Sequence, residues 1–259
     1  MKDLLLFDVD GTLVESGNKV DNEMSTILNK MVQNNFEIGI VGGGKLEKIL
    51  EQFEYNVFFT HYFSECGCVY YKNRIDNSSG VNPSLSLKEI YTKNIREHKQ
   101  YNNINILIKT ALKYLSNVDY LLTGHFVDLR NGIIYISLIG LTATQEERKY
   151  YMDKEKEFNY RKELIELLKR KAKELECNDD ISIVLGGNVG IAIYPNDFDK
   201  EQIMEHINIH DYGKIYYFGD KYLEDGNDYK LLNHKNIIGN NIDSVEQTKK
   251  ILLNLLENQ

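Results

Sequence analysis

The segment that decides the fold is LLLFDVDGTL, residues 4–13. Its first half is an apolar run, and such a run predicts a β-strand that is buried on both faces. Asp8 and Asp10 follow at the carboxyl end of this strand, which is the edge where open α/β sheets bind ligands. Two carboxylates two residues apart can face one site there. One of them can attack a phosphorus atom while the other moves a proton.

The first third and the last quarter of the chain alternate between strand and helix patterns. Helical spacing over residues 24–32 follows Asp21, the expected N-cap, and an apolar strand is predicted over residues 36–41. Further strands are predicted over residues 214–218 and 236–238, and a closing helix over residues 245–255. Short loops in a β-α-β order predict a parallel sheet that helices cover.

The middle of the chain has a different pattern. A polar stretch over residues 75–103 suggests a boundary or insertion. Asn131-Gly132 is a strong hairpin-turn signal, and it predicts two antiparallel strands around it. The flanking patterns predict helices over residues 104–115 and 163–176 and strands over residues 126–129, 133–138, 181–185 and 189–194. We therefore predict an α/β core formed by residues 1–82 and 194–259, interrupted by an α+β module over residues 83–193.

Composition limits the classes of partner. The chain of 259 residues carries a formal net charge of −8, which argues against nucleic-acid and anionic-membrane partners because these select clustered Lys and Arg. No apolar run approaches the roughly 20 residues that a bilayer span needs. Three cysteines are a sparse and odd set, which favours a cytoplasmic protein with reduced thiols over a secreted disulfide scaffold.

A second acidic loop follows another apolar strand. It contains Gly219-Asp220 and, a few residues later, Gly226-Asn227-Asp228. Alone this is a weak signal, because Asp and Gly are common in ordinary loops. Together with Asp8 and Asp10, it indicates a cluster of carboxylates that demands a cation, and hard oxygen ligands select Mg²⁺.

These motifs together resemble a known family. LFDVDGTL (residues 6–13), FVDLRNG (126–132), QEER (145–148), FGDK (218–221) and GND (226–228) are similar to motifs of the eukaryotic phosphomannomutases, within the haloacid dehalogenase superfamily. The resemblance implies a Rossmann-like haloacid dehalogenase core with an inserted α+β cap domain. It also implies Mg²⁺ as cofactor, a sugar phosphate as substrate and a homodimer joined through the caps.

The resemblance also assigns roles to residues. It implies that Asp8 is the nucleophile that becomes an aspartyl-phosphate, and that Asp10 is the general acid and base. Asp8, Asp10 (through its backbone carbonyl) and Asp220 are the expected metal ligands. The expected phosphate-binding residues are Gly43, Gly44 and Lys200, and the expected substrate-binding residues are Arg130, Arg148 and Asn188. Guanidinium groups suit the bidentate capture of a phosphate.

Several positions depart from the family pattern. A serine and a following acidic residue of the second core motif are replaced by Gly44 and Lys45. The other departures replace a cap arginine, a serine, an aspartate and an arginine after the first motif, and they stand at Leu141, Gly190, Ala192 and Gly17. Charge-assisted hydrogen bonds contribute roughly 1.5–3 kcal/mol each, so these losses imply weaker recognition of an ordinary hexose phosphate.

Three functions remain open from the sequence. The first is a phosphomannomutase, which interconverts mannose 6-phosphate and mannose 1-phosphate. The second is a Mg²⁺-dependent sugar-phosphate phosphatase of the same superfamily, in which water attacks the aspartyl-phosphate. The third is a weakly catalytic homologue that acts by binding a partner. Asp8, Asp10, Lys200 and Asp220 argue against the third, because a homologue without catalysis has no reason to keep all four.

Overall fold

The computed structural model describes residues 1–54, 56–57, 59–73, 86–224 and 226–257. The strands are β1 (Lys2–Phe7), β2 (Glu37–Val41), β3 (His61–Ser64), β4 (Val69–Asn73), β5 (Leu87–Thr92), β6 (Val127–Leu129), β7 (Ile134–Ser137), β8 (Ile181–Gly186), β9 (Gly190–Pro195), β10 (Tyr212–Gly219) and β11 (Ile238–Asn241). The helices are α1 (Asn22–Gln33), α2 (Leu46–Phe53), α3 (Tyr101–Leu115), α4 (Gln145–Phe158), α5 (Tyr160–Glu174), α6 (Tyr229–Leu232) and α7 (Val245–Glu257).

The chain forms two compact units. The first unit is Met1–Thr92 together with Asp199–Gln259, and the second is Lys93–Phe198. The predicted fold class, an α/β core with an inserted α+β module, is confirmed. The predicted boundary between residues 82 and 83 lies outside the described residues. The predicted return to the core between residues 193 and 194 falls inside β9, whereas the structure divides the chain between Phe198 and Asp199.

The first unit contains a seven-stranded sheet in the order β11-β10-β1-β2-β3-β4-β5. The strands from β11 to β3 are parallel, and β4 and β5 join antiparallel. Because β5 pairs with β4, residues 87–92 belong to this sheet, although they were predicted to lie in the inserted module. The carboxyl ends of β1 and β10 therefore lie side by side at one edge of the sheet.

The central strand β1 is buried on both faces, as its apolar run predicts. Leu5 and Phe7 belong to a cluster with residues of α1 and α7, and Leu4 and Leu6 belong to a second cluster on the other face. Side chains alternate between the faces of a strand, so an unbroken apolar run serves both layers. This burial fixes where β1 ends and hence where Asp8 begins.

Two local predictions have different outcomes. Asp21 is the N-cap of α1, and its side chain accepts a hydrogen bond from the backbone N–H of Met24 at 2.7 Å, as predicted. The prediction of the last strand over residues 236–238 was wrong, because β11 starts at Ile238, where its parallel pairing with Tyr216 of β10 starts. The backbone N–H of Ile237 instead closes a turn on the carbonyl of His234.

The second unit contains an antiparallel sheet in the order β6-β7-β9-β8. Helix α5 packs against β8 and β9, and α3 packs beside α5. The buried side of β7 and β9 is formed by isoleucines, namely Ile134, Ile136, Ile191 and Ile193. Since side chains alternate along a strand, Tyr135 and its partner Ala192 lie on the opposite face. Across the described residues of both units, no helix has the length and apolar character that a bilayer crossing requires.

Candidate active site

The candidate site lies in the first unit, where β1 and β10 end. The backbone N–H of Asp8 donates to the carbonyl of Phe218 at 2.9 Å, so the first residue after β1 is tied to β10. Asp220 follows β10 directly, and Asp228 comes from the loop before α6. One carboxylate oxygen from each of Asp8, Asp220 and Asp228 lies within 4.8 Å of the other two.

Two glycines allow the carboxylates to approach this closely. Gly11 has a φ angle of +86°, and a Cβ atom on it would lie 2.5 Å from Oδ2 of Asp220. A Cβ atom on Gly219 would lie 2.6 Å from Cγ of Asp228. Both positions therefore exclude a side chain, which explains why glycine accompanies an aspartate in each of these two motifs.

The Lys200 side chain is fully buried at the centre of this group. Its ammonium contacts Oδ1 of Asp8, lies 2.6 Å from Oδ1 of Asp228 and donates to the Tyr217 hydroxyl at 3.3 Å. Burial alone would lower the pKa of Lys200, but the carboxylates of Asp228 and Asp8 hold that pKa well above its usual range. The expected phosphate-binding lysine is thus a charged group in contact with the expected nucleophile.

The two carboxylates bound to Lys200 differ in their affinity for protons. Burial raises the pKa of Asp8 to about 7, although the nearby Lys200 charge opposes the shift. Burial also acts on Asp228, but the Lys200 charge and hydrogen bonds from Lys200, Tyr217 and the backbone N–H of Lys221 hold its pKa below the usual range. Asp228 therefore stays ionised, while Asp8 changes its charge near neutral pH.

The arrangement suits a hard divalent cation. Oδ1 of Asp220 is buried and has no hydrogen-bond partner among the described residues, and the same holds for Oδ1 of Asn227. Three carboxylates face the ammonium groups of Lys200 and Lys221, which leaves an excess of negative charge. Buried oxygen donors with unmatched negative charge are the ligands that Mg²⁺ prefers.

The carboxylate cluster contains Asp228 as a further candidate ligand, and it does not test the expected role of Asp10, which was to bind the metal through its backbone carbonyl. The side chain of Asp10 is not among the three clustered carboxylates, and Asp228 is. From the sequence, Asp228 was expected only to lie in an acidic loop, without a role as a ligand. The signal that finds it is the GND motif at a short distance after Asp220.

The Asp10 carboxylate is held by donors that sequence reasoning missed. Its Oδ1 accepts hydrogen bonds from the backbone N–H of Gly17 at 2.9 Å and from Nε2 of Gln52 at 3.0 Å. Nζ of Lys48 donates to Oδ2 at 3.4 Å. Lys48 and Gln52 are four residues apart on α2, so they share one helix face. That spacing was visible in the sequence, but nothing there showed that this face meets Asp10.

The expected phosphate-binding glycines form the turn between β2 and α2. The carbonyl of Gly44 accepts from the backbone N–H of Glu65 at 3.0 Å, and the carbonyl of Gly42 accepts from that of Cys66 at 2.9 Å. The Cys66 sulfur lies 3.7 Å from the place where a Cβ atom on Gly43 would stand. Burial raises the pKa of Cys66 to about 11, so this thiol stays protonated and is not a nucleophile at neutral pH.

The expected substrate-binding residues belong to the second unit. Nε of Arg130 donates to Oδ2 of Asp128 at 2.7 Å. Arg148 donates from Nη2 to the carbonyl of Leu141 at 2.9 Å and from Nε to that of Ala143 at 3.1 Å. Its helix α4 starts with a capping box between Thr144 and Glu147. Asn188 is exposed in the turn between β8 and β9.

Comparison with known proteins assigns the family. A sequence profile described as eukaryotic phosphomannomutase matches residues 24–258. The chain is 33% identical to the phosphomannomutase of Saccharomyces cerevisiae, over 97% of this chain and 93% of the yeast protein. It is 32% identical to the phosphomannomutase of Encephalitozoon cuniculi, over 95% of this chain and 91% of that protein.

The chain belongs to the eukaryotic phosphomannomutase family. Solved structures that resemble this member more distantly agree on the fold. A truncated Plasmodium falciparum IMP-nucleotidase matches with a TM-score of 0.63 at 14% identity, over 100% of this chain and 72% of that one. The C-terminal domain of the Candida albicans trehalose-6-phosphate phosphatase matches with a TM-score of 0.58 at 14% identity, over 100% of this chain and 93% of that domain.

The buried Asp8 predicts a pH-dependent change in stability. Because the folded-state pKa of about 7 is above the ordinary value of 3.8, stability of the metal-free protein falls as pH rises from about 4 through 7. Asp8→Asn removes this ionisation. Its stabilising effect should be smallest near pH 4 and reach about 1–4 kcal/mol at pH 8, since one pKa unit corresponds to about 1.4 kcal/mol.

Urea denaturation of both proteins in a chelator, at pH 5 and at pH 8, measures this effect. The difference between the two proteins at each pH cancels the titration of the groups that they share. If Asp8→Asn is less stable than the wild type at pH 8, then the assigned burial of a carboxylate charge at Asp8 is wrong.

Proposed function

We propose that this protein is a phosphomannomutase, which interconverts mannose 6-phosphate and mannose 1-phosphate through an aspartyl-phosphate on Asp8. The observation that carries the proposal is the contact of Asp8 with the buried Lys200 ammonium beside Asp220 and Asp228, in a member of this family. A carboxylate at a strand end, next to a fixed positive charge, suits attack on a phosphorus atom.

The proposed reaction transfers one phosphoryl group to the protein and back. An oxygen of Asp8 forms a bond to phosphorus as the bond from phosphorus to the oxygen of a hexose bisphosphate breaks. The released hydroxyl group takes its proton from Asp10. In the return step, a hexose monophosphate that carries its phosphate at the other position attacks the aspartyl-phosphate with its free hydroxyl, which gives its proton to Asp10. The bond from phosphorus to the Asp8 oxygen breaks, and the bisphosphate forms again. Lys200 supports both steps, because its charge opposes the negative charge of the transferring group.

The donors around Asp10 support its proposed role. Gln52, Lys48 and the backbone N–H of Gly17 fix the carboxylate, and an acid or base must be held in position to act on a defined oxygen. Lys48 also lies against the turn at Gly44, since its Cδ would be 3.4 Å from a Cβ atom there. It therefore brings a positive charge to the turn where the family serine is missing.

We propose Mg²⁺ as the cofactor of this site. Asp8, Asp220 and Asp228 would supply carboxylate oxygens, and the unpartnered Oδ1 of Asp220 supports this. When bound, Mg²⁺ lowers the negative charge of the site and so lets a phosphate approach the Asp8 carboxylate.

The phosphatase alternative rests on one specific observation. Gly190 and Ala192 of β9 carry no hydrogen-bonding side chains at positions where the family has a serine and an aspartate. Weaker hold on the sugar phosphate would favour attack of water on the aspartyl-phosphate, which releases orthophosphate. The two activities share Asp8 and differ only in the acceptor.

We further propose a homodimer that forms through the second unit. Leu121 is 77% exposed there and Leu122 is 40% exposed. Leu121 lines a cavity of about 270 Å³ together with Thr123, Ile139, Glu146, Glu147 and Tyr150. Exposed apolar side chains around a recess are typical of a protein interface. Cys66, Cys68 and Cys177 form no disulfide bond among the described residues, which supports the proposal of a reducing, cytoplasmic location.

The first prediction of this proposal concerns turnover. The wild type should convert mannose 1-phosphate to mannose 6-phosphate when a hexose bisphosphate is supplied, and should release orthophosphate more slowly. Asp8→Asn should lose both activities by at least about a thousandfold, because an amide does not attack phosphorus. Coupled assays for both products on the same preparations measure this. If orthophosphate is the sole product, the protein is a phosphatase. Full turnover by Asp8→Asn would show that Asp8 is not the nucleophile.

The second prediction concerns the metal. Mg²⁺ should raise the Tm of the wild type, and Asp220→Asn should need about tenfold more Mg²⁺ for the same rise, because the site loses a charge and an oxygen donor. Asp243→Asn is the control, because Asp243 and Asp220 line the same cavity of about 440 Å³ but Asp243 is outside the carboxylate cluster. It should respond like the wild type. Equal Mg²⁺ responses of all three proteins would put the metal elsewhere.

The third prediction concerns assembly. Leu121→Asp should convert the dimer to a monomer at micromolar concentration, because it places a charge in an apolar contact. Leu223→Asp, which alters an exposed leucine of the first unit, should leave the dimer intact. Size-exclusion chromatography with light scattering measures both. A wild-type monomer, or a Leu121→Asp dimer, would exclude this surface.

A further inference from the structure

Tyr135 stands on the face of the second-unit sheet that carries the lost family contacts. It pairs with Ala192 across β7 and β9, and Gly190 lies two residues along the same strand. Residues two apart on a strand share a face. The tyrosine therefore lies beside both positions at which this chain lacks the hydrogen-bonding side chain of its family.

The Tyr135 ring packs directly against two glycines, Gly190 and Gly186. A Cβ atom on Gly190 would lie 2.5 Å from both the Cζ and the hydroxyl oxygen of Tyr135, and one on Gly186 would lie 2.8 Å from Cε2. Contacts this short are not tolerated between real atoms. A Cβ atom on Gly190 would also lie 2.5 Å from the backbone carbonyl oxygen of Ile136, so the strand backbone and the Tyr135 ring both require glycine at this position.

The tip of the ring is fixed by hydrogen bonding. The Tyr135 hydroxyl donates to the carbonyl of Gly186 at 3.0 Å, and Nη1 of Arg161 donates to the next carbonyl, that of Gly187, at 2.9 Å. Arg161 in turn pairs with Glu155 at 2.9 Å. The turn between β8 and β9 is thus fixed by hydrogen bonds from both Tyr135 and Arg161.

The ring contacts Arg130, which is an expected ligand of the substrate phosphate. The guanidinium carbon of Arg130 lies 5.5 Å from the ring centroid, which is the range of a cation–π interaction. Nε of the same guanidinium donates to Asp128 at 2.7 Å. This hydrogen bond does not engage the terminal Nη groups, and bidentate phosphate binding uses such groups.

We infer that Tyr135 is a positioning residue for Arg130, and that its ring and the Asp128 carboxylate orient the guanidinium for the distal phosphate of a sugar phosphate. The inference rests on the proposed function, which makes that phosphate the ligand of Arg130. Positioning one arginine by an aromatic ring compensates in part for the side chains that are missing at positions 141, 190 and 192. A pre-oriented side chain loses less entropy when it binds.

Electrostatics agree with this geometry. Burial raises the pKa of Tyr135, whereas the positive charges of Arg130, Arg148 and Arg161 act in the opposite direction. Three arginines of the second unit are therefore within electrostatic reach of one hydroxyl group. The hydroxyl stays protonated at neutral pH, so it can act as the donor to Gly186.

The test separates the ring from the hydroxyl. Tyr135→Leu should raise the KM for mannose 1-phosphate about three- to tenfold with kcat within twofold, since a cation–π contact is of that order. Tyr135→Phe keeps the ring and should stay within twofold of the wild type in KM. Tyr101→Leu removes a half-buried tyrosine from α3 of the same unit and is the control for loss of a ring.

A double-mutant cycle shows whether the effect passes through Arg130. In an Arg130→Met background, Tyr135→Leu should change KM by less than twofold, because the group that it positions is gone. An equal effect in both backgrounds would overturn the inference. So would an unchanged KM for Tyr135→Leu, or a loss in Tyr135→Phe as large as that in Tyr135→Leu.

Binding measurements distinguish this inference from the proposed function. Isothermal titration of mannose 6-phosphate into Asp8→Asn, with and without Tyr135→Leu, reports recognition without turnover, and the Tyr135→Leu protein should bind three- to tenfold more weakly. If the wild type turns over no sugar phosphate but binding depends on Tyr135, the inference stands and the proposed activity fails. If the wild type turns over sugar phosphate but Tyr135→Leu leaves binding unchanged, only the inference is wrong. If there is neither turnover nor binding, the inference and the proposed function are both wrong.

Discussion

The candidate site depends on one buried positive charge. Asp8 and Asp228 are both buried, where like charges repel strongly, and the Lys200 ammonium contacts both. Removing Lys200 would leave two buried carboxylates without this counter-charge, at a cost of about 3–5 kcal/mol. The three residues come from the end of β1, from the segment just after the second unit and from the loop before α6. The site is therefore complete only when the two separated parts of the first unit have folded together.

The same charges bear on the proposed role of Asp8 as the nucleophile. Lys200 keeps Asp228 ionised, whereas burial brings the pKa of Asp8 to about 7. Asp8 is thus a carboxylate whose charge depends on what enters the site. A cation beside Asp220 favours the ionised form, which is the form that attacks phosphorus.

Both units depart from the family pattern, the first at Gly17, Gly44 and Lys45 and the second at Leu141, Gly190 and Ala192. The first keeps its aspartates, its lysine and the glycines that let them meet. The second lacks hydrogen-bonding side chains at positions 190 and 192 and carries a tyrosine ring that lies over Gly190. We interpret this as retained phosphoryl-transfer chemistry with a changed way of holding the sugar phosphate. The Tyr135 ring and the backbone carbonyl of Ile136 both occupy the space that a side chain at position 190 would need.

The features that could be predicted from the sequence are those that depend on the local pattern of residues. The unbroken apolar run of β1 predicted that this strand is buried on both faces, and Asn131-Gly132 predicted the hairpin of β6 and β7. The start of β11 was not predictable, because pairing with β10 rather than local sequence sets it. The contacts of Gln52 with Asp10 and of Tyr135 with Arg130 join residues from different elements, and no spacing in the sequence shows which faces of two elements meet.

The central claim is that Asp8 carries the phosphoryl group during turnover. Its most direct test is to incubate the protein with Mg²⁺ and a hexose bisphosphate, quench it in acid and reduce it with borohydride, which converts an aspartyl-phosphate to homoserine. Peptide mass spectrometry should then find homoserine at position 8 and an unchanged aspartate at position 10. Homoserine at any other aspartate, or an unmodified Asp8 in protein that turns over substrate, would contradict the account.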